Sequence, residues 1–218
     1  MRALVLSVLV VAASARGEEV KVEVVQEDVG QAWSVVGART LAPGANALEA
    51  SIGYPAISAG FLRGIAPGIN VGARAGFVYG VEGMFRETAP GFKLQGLLKL
   101  RLLDSGKVSL ALTAEPGILY HSSFLQGARV GLTIPVGLRL GIAASSAIAV
   151  AVLVDLPMWV EFGLFGGFNL PILTGGGVEY FITSQLAVFF RARIGPTIRT
   201  ARPAEVTFES SLGIGYRF

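Results

Sequence analysis

Apolar and polar residues alternate along most of this chain, and the longest uninterrupted alternation runs from Gly127 to Gly141. One set of alternate positions in that stretch is apolar, whereas the other is small or polar. Because successive side chains of a strand point to opposite faces, the stretch is predicted to be a strand with one apolar and one polar face. It is longer than the usual five or six residues of a strand and suits a tilted crossing of a bilayer.

The same alternation returns from Ala45 to the end of the chain and predicts about ten strands. Alternating segments of roughly ten residues bounded by turn residues are typical of bacterial outer-membrane barrels. We therefore predict an all-β fold, an antiparallel up-and-down transmembrane β-barrel, with eight or twelve strands as the other possibilities. The predicted strands are Ala45–Tyr54, Ile57–Ile65, Ile69–Tyr79, Phe92–Leu102, Val108–Tyr120, Gly127–Gly141, Ala147–Val160, Leu170–Ile182, Leu186–Ile198 and Val206–Phe218.

The predicted connections alternate in length, as they do when short periplasmic turns alternate with longer outer loops. The connection Tyr54-Pro55-Ala56 is the exception, since it is too short for an outer loop. This alternation is expected if both ends of the barrel chain are on the periplasmic side. The short turns are Ala66–Gly68, Asp104–Lys107, Ala143–Ser146 and Thr183–Gln185, and the longer connections are Gly80–Gly91, His121–Gln126, Glu161–Asn169 and Thr200–Ala204.

Two other folds compete with the membrane barrel. Residues Gly141–Val160 are long and apolar enough for a membrane-spanning helix, but Asp155 would lie inside the span, and the preceding strand would keep an unpaired edge in lipid. A soluble β-sandwich or lipocalin-like barrel would turn its apolar face inward. Membrane fractionation distinguishes a soluble barrel or sandwich from the predicted transmembrane barrel.

Composition and the N-terminus favour an exported membrane protein. Of 218 residues, 52% are hydrophobic and only 15% are charged, against a typical charged fraction of about 25%. Arg2, the apolar run that follows it, and the A-x-A site at Ala13 and Ala15 predict a cleaved signal peptide over residues 1–15. We expect residues 16–44 to form a periplasmic segment, with a short strand near Val20–Val25, and residues 45–218 to form the barrel.

The polar face of the predicted strands lines the lumen, and basic residues outnumber acidic ones on it. An eight-stranded barrel is just filled by side chains, so about ten strands leave little open lumen. We therefore expect an interior held together by ion pairs, and the alternative is a narrow pore whose positive charge favours anions. The predicted lumen-lining residues are Arg74, Lys93, Lys99, Arg101, Glu115, Arg129, Arg139, Asp155, Glu179, Arg191, Arg193, Glu209 and Arg217, with Glu49 on the same face.

The last eight residues resemble the C-terminal β-signal of small Gram-negative outer-membrane β-barrel proteins. Ser211, Gly213, Tyr216 and Phe218 match its polar, glycine and two aromatic positions. The resemblance extends over residues 45–218 as a pattern and implies delivery to the barrel-assembly machinery, with outer-membrane lipid and lipopolysaccharide as surroundings. It implies no particular activity.

Chemistry-bearing motifs are sparse. His121 and Ser123 have the H-x-S spacing of outer-membrane lipid A deacylases, yet no Glu follows at a comparable position to orient the histidine. A surface receptor or adhesin built on Gly80–Gly91 and Glu161–Asn169 is a third possibility, although these loops are short. The chain has no Cys and no phosphate-binding or metal motif, so we expect neither a catalytic centre nor a cofactor.

Overall fold

The computed structural model describes residues 32–80, 90–123, 127–162, 167–200 and 202–218. For Ser123 and Arg202 it describes the backbone only. The described residues form strands joined by turns. The strands are β1 (Asn46–Tyr54), β2 (Ala56–Ala66), β3 (Ile69–Val78), β4 (Gly91–Asp104), β5 (Val108–Ala114), β6 (Gly117–Ser123), β7 (Gly127–Ala143), β8 (Ile148–Phe162), β9 (Gly167–Pro171), β10 (Leu173–Phe181), β11 (Leu186–Arg199) and β12 (Arg202–Arg217).

These strands close into a ten-stranded antiparallel barrel, which confirms the predicted fold. Strands β5 and β6 both pair with β4 and β7, so they are two halves of one barrel strand interrupted at Glu115 and Pro116. Strands β9 and β10 are likewise two halves of the strand between β8 and β11. Pairing of β1 with β12, from Ala47 opposite Arg217 onward, closes the ring.

The outer face of the barrel is apolar and the inner face is polar. Leu132 and Ile134 on β7 are 48% and 55% exposed, whereas Arg129 and Thr133 on the same strand are buried. This is the reverse of a soluble barrel, whose apolar side chains fill the interior, and it matches the lipid-facing band of a membrane barrel. The Gly141–Val160 stretch, for which a helix is the alternative, is the end of β7 and most of β8. Among the described residues, no helix has the length and apolar character needed to span a membrane.

The two ends of the barrel differ. The turn end carries the β2–β3, β4–β5, β7–β8 and β10–β11 turns, together with Asn46 and Phe218, which exchange two backbone hydrogen bonds of 2.9 Å. The loop end carries the other connections, including the short Tyr54-Pro55-Ala56 link between β1 and β2. The exception to the length rule is therefore a real connection between two paired strands.

Three predicted loops are wrong in their bounds, because the strands extend farther at the loop end. His121–Ser123 belongs to β6, Glu161 and Phe162 end β8, and β12 already begins at Arg202. His121 and Glu161 at these strand ends are buried and face the lumen, so polarity alone does not mark a loop. Residues 81–89 of the Gly80–Gly91 connection and 163–166 of the Glu161–Asn169 connection lie outside the described residues.

Candidate functional site: the barrel lumen

The turn end of the lumen is filled by the chain's own residues 32–42, here called the plug. Trp33, Val36, Ala38 and Leu41 are all at most 3% exposed, although they precede the first barrel strand. The Trp33 indole Nε1 donates to the backbone oxygen of Ser184 at 3.1 Å, in the β10–β11 turn. The plug therefore closes this end of the barrel from the inside.

A carboxylate on the wall binds the amide groups of the plug. The Glu179 side chain on β10 is 1% exposed and accepts hydrogen bonds from the amides of Val35, Val36 and Gly37, with N···O distances of 2.6, 3.0 and 3.3 Å. The Ser34 hydroxyl donates to the same carboxylate. Several donors on one carboxylate satisfy a buried charge that would otherwise be costly.

An ammonium group from another wall binds the carbonyl groups of the same segment. The Lys99 Nζ on β4 donates to the backbone oxygens of Ser34, Val35 and Gly37 at 2.9, 3.3 and 3.0 Å. Farther along, the Leu41 amide donates to Asn70 Oδ1 at 3.0 Å. Lys99 and Glu179 thus hold one short piece of backbone between them, and both charges are compensated.

Glycines on the inner wall make room for the plug. A Cβ on Gly215 of β12 would lie 2.6 Å from Val35 Cγ2 and 2.9 Å from the Trp33 ring. A Cβ on Gly177 of β10 would lie 2.7 Å from Val36 Cγ1. Contacts this short do not occur with real Cβ atoms, so these two positions require glycine as long as the plug is in place.

Above the plug, an ion-pair network links several strands along the inner wall of the lumen. We call it the central network. Arg74 on β3 pairs with Glu49 on β1 at 2.6 Å and with Glu115, between β5 and β6, at 2.7 Å. Its members among the described residues are Glu49, Arg74, Glu115, Arg139, Asp155, Arg193 and Glu209.

The other half of the central network is centred on Asp155 of β8. Its carboxylate pairs with Arg139 of β7 at 2.9 Å and with Arg193 of β11 at 2.6 Å, and Arg193 also pairs with Glu209 of β12. Glu115 from the first half lies within electrostatic range of Arg139 and Arg193. Strands from all around the ring therefore meet through charged side chains at this level.

A cavity of about 100 Å³ lies beside the central network on the side of the loop end. Its wall includes Tyr54 and Pro55 of the short β1–β2 connection, which places it toward the loop end. Lys93 and Arg191 line it together with hydroxyl groups of several serines. The cavity is therefore polar, and the plug and network lie between it and the turn end.

A further polar group of residues, the upper cluster, lies at the loop end. Arg129 pairs with Glu161 at 3.1 Å, and the Arg199 Nε donates to Asn169 Oδ1 at 3.0 Å. His121 lies opposite Arg129 in the β6–β7 pairing and is 2% exposed. Both of its ring nitrogens lack a hydrogen-bond partner among the described residues. The upper cluster comprises His121, Arg129, Trp159, Glu161, Asn169 and Arg199.

The structure distributes the predicted lumen residues over these layers. The central network contains six of them: Arg74, Glu115, Arg139, Asp155, Arg193 and Glu209. The plug is held by Lys99 and Glu179, and the cavity is lined by Lys93 and Arg191. The upper cluster contains Arg129, and the turn end carries Arg101 and Arg217. Arg101 pairs there with Asp104 at 2.8 Å, and both are partly exposed. The predicted cleavage residues Ala13 and Ala15 and the strand near Val20–Val25 lie outside the described residues.

Sequence reasoning misses the plug and two buried charges. Residues 32–42 have neither strand nor helix periodicity, and the visible sign is an isolated Trp33 among apolar residues after an acidic stretch. Glu161 falls in a predicted loop, although it continues the inward series of Pro157 and Trp159 on β8. Arg199 likewise continues the inward series of β11 after Thr197. Extending the alternation through the ends of β8 and β11 would identify Glu161 and Arg199 as lumen residues.

Comparisons with known proteins show resemblance to outer-membrane barrels of solved structure. The outer membrane protease OmpT from Escherichia coli aligns with a TM-score of 0.45 and 10% identity, over 81% of this chain and 94% of its own. The N-terminal β-barrel domain of Pseudomonas aeruginosa OprF aligns with 0.36 and 12%, over 81% and 98%. The KdgM porin, solved in complex with disordered oligogalacturonate, aligns with 0.35 and 10%, over 80% and 99%. At these identities the likeness concerns the fold alone, and no protein-family model and no curated protein matches the chain.

Proposed function

We propose that this chain is an integral protein of a Gram-negative outer membrane, with a closed barrel that serves a structural role. The apolar outer face and the polar inner face support the membrane assignment. The central network carries the proposal of a closed lumen, because its ion pairs, between β1 and β3 in one half and among β7, β8, β11 and β12 in the other, place charged side chains inside the barrel at one level. The plug adds a second obstruction below it.

The charge balance gives less support to an anion-favouring pore. In the central network, three arginines face four carboxylates, namely Arg74, Arg139 and Arg193 against Glu49, Glu115, Asp155 and Glu209. Arg129 and Arg199 are similarly matched by Glu161 and Glu205. A pore that selects anions needs a net positive constriction, and the paired groups of the central network and of the loop end do not supply one.

Conductance and fractionation test the proposal. The protein should separate with outer membranes and change its gel mobility on heating, as a folded barrel does. After reconstitution into planar bilayers it should give no stable single-channel steps, while a porin of known conductance inserted under the same conditions serves as the control. Regular conductance steps with anion selectivity would show that the protein is a pore and not a closed structural barrel. A product that stays soluble would refute the membrane assignment.

We also propose that the last strand directs assembly by the barrel-assembly machinery. Tyr216 and Phe218 are 44% and 54% exposed, and their rings stack with centroids 6.1 Å apart on the outer face. Deleting Phe218 removes one lipid-facing ring, about 1.5–3 kcal/mol of burial, and the two backbone hydrogen bonds with Asn46, but it leaves the β1–β12 pairing from Ala47 and Arg217 onward. The deletion should therefore accumulate unassembled in the periplasm but refold in micelles, while Arg217→Ala assembles normally. Full delivery of the deletion variant to the outer membrane would contradict this role.

A lipid-modifying enzyme built on His121 and Ser123 receives less support from the geometry. His121 is buried inside the barrel, so an acyl chain in the surrounding lipid does not reach its ring. Mass spectrometry of lipid A from cells with and without the protein tests this directly. A lost acyl chain that returns on His121→Ala would establish the enzyme instead.

A further inference from the structure

Arg191 lies beside the central network but, unlike the arginines within it, has no carboxylate partner among the described residues. Its Nε donates to Ser211 Oγ at 2.8 Å. The charged groups that act on it most strongly are Arg193, Arg74 and Arg139, with Glu115 as the opposing charge. A cation inside a barrel and next to other cations is costly unless an anion accompanies it.

A second arginine has unused hydrogen-bonding capacity at the same place. Arg139 is 5% exposed, and its Nη2 pairs with Asp155, but its Nη1 has no partner among the described residues. Guanidinium groups carry five donors in a fixed plane, which suits the two oxygens of a carboxylate or phosphate. Both arginines line the cavity beside the central network.

The size and lining of the cavity restrict what it can hold. Its volume of about 100 Å³ is room for roughly seven to ten water molecules at ~10–15 Å³ each, well below the ~300 Å³ of pockets that take drug-sized ligands. Lys93, Ser58 and Ser210 add a further cationic group and two hydroxyls to the wall. The wall also includes three carboxylates, and each is paired with an arginine of the central network: Glu115, Asp155 and Glu209. These features suit a small oxyanion.

We propose that this cavity is a blind binding site for a small oxyanion, either phosphate or a short carboxylate, held by Arg191 with help from Arg139 and Lys93. The anion enters from the loop end, since the plug and the central network separate the cavity from the turn end. Binding is therefore independent of passage across the membrane. The site stands apart from the structural role, because a closed barrel needs no ligand here.

Calorimetric titration of the full mature protein in nonionic micelles tests the site. Inorganic phosphate and succinate are titrated separately, and chloride at the same ionic strength is the third arm. We expect one saturable site for phosphate or succinate, and the arm that gives it identifies the source of the oxyanion. Absence of saturable heat for both, or equal binding of chloride, would overturn the proposal.

Variants locate the binding. Arg191→Gln keeps a donor for Ser211 and should weaken binding roughly 10- to 100-fold, the range for charged hydrogen bonds. Lys93→Gln should weaken it less, and Arg101→Gln at the turn end should leave it unchanged. Heat-dependent gel mobility checks that each variant is folded. If Arg191→Gln does not fold, the affinity of Lys93→Gln for the anion tests the site instead. Wild-type affinity in the folded cavity variants would place the anion elsewhere and refute the site.

Discussion

The plug and the central network close the same lumen by different means. The plug is backbone and apolar side chains, held by Lys99 and Glu179, which bind its carbonyl and amide groups. The central network consists of side chains that belong to the wall itself and bind one another. One closure is a separable segment inserted into the barrel, and the other is part of the barrel.

This difference predicts different responses to mutation. Breaking the central network leaves a charge unpaired inside the wall, and the barrel as a whole bears the cost. Breaking the contacts of the plug frees a segment that leads into β1, and the barrel strands keep their pairing. The fluorescence of the two tryptophans can report these two responses separately, because Trp33 lies in the plug and Trp159 lies on β8 of the wall.

The largest effect is expected from Arg193→Met. The substitution removes the cation between Asp155 and Glu209, and loss of one partner of a buried ion pair costs about 3–5 kcal/mol. Denaturant unfolding in micelles, followed by Trp159 fluorescence in a Trp33→Phe background, measures it. Arg63→Met on the exposed outer face is the matched control. A loss no greater than that of the control would show that the network does not stabilise the wall.

The next effect is release of the plug by Glu179→Gln, which keeps the shape of the side chain but removes its charge. Hydrogen bonds to a charged group contribute about 1.5–3 kcal/mol, so the released state should become roughly 10- to 100-fold more populated. The chain has no Cys, so Ala38→Cys, at a fully buried position, can report release through its rate of maleimide labelling.

Ser105→Cys in the exposed β4–β5 turn is the labelling control for this experiment. It should react at the same rate whether the wall carries Glu179 or the Glu179→Gln substitution. If Ala38→Cys also reacts equally in both backgrounds, the carboxylate does not hold the plug.

A smaller and more specific effect is expected from Gly215→Ala. The new Cβ would clash with Val35 and Trp33, and overpacking of this kind costs about 1–3 kcal/mol. The cost should fall on the plug, as faster labelling at Ala38→Cys. Val35→Ala removes the nearest opposing atom but leaves the Trp33 ring, so it should partly restore slow labelling in the double variant. Additive effects of the two changes would contradict the contact with Val35.

The smallest effect is expected from Arg101→Ala at the turn end. Arg101 and Asp104 are about 30% exposed, and solvent-exposed pairs contribute about 0.2–1 kcal/mol. Denaturant unfolding should barely change, and raising the salt concentration should reduce the difference further. A loss as large as that of Arg193→Met would mean that exposure does not separate the two kinds of ion pair.

The wall of the barrel can be predicted from the sequence far better than its contents. A period of two in the chain determines which side chains face lipid and which face the lumen, so the alternation alone places Asp155, Arg193 and Glu209 inside. It does not reveal their partners, because ion pairing between strands depends on the register and tilt of those strands. The plug leaves no periodic trace, since its position depends on Glu179 and Lys99, which are distant in sequence.

The seam between β1 and β12 has a consequence for the order of folding. Ala47 pairs with Arg217, so the ring closes only when the two ends of the barrel chain meet. Contacts this distant in sequence form slowly, because much chain entropy is lost before they are made. The plug needs Asn70, Lys99 and Glu179 from three separate strands, so it settles late, along with the seam. We therefore expect closure of the wall and occupation of its interior to belong to the same late stage of folding.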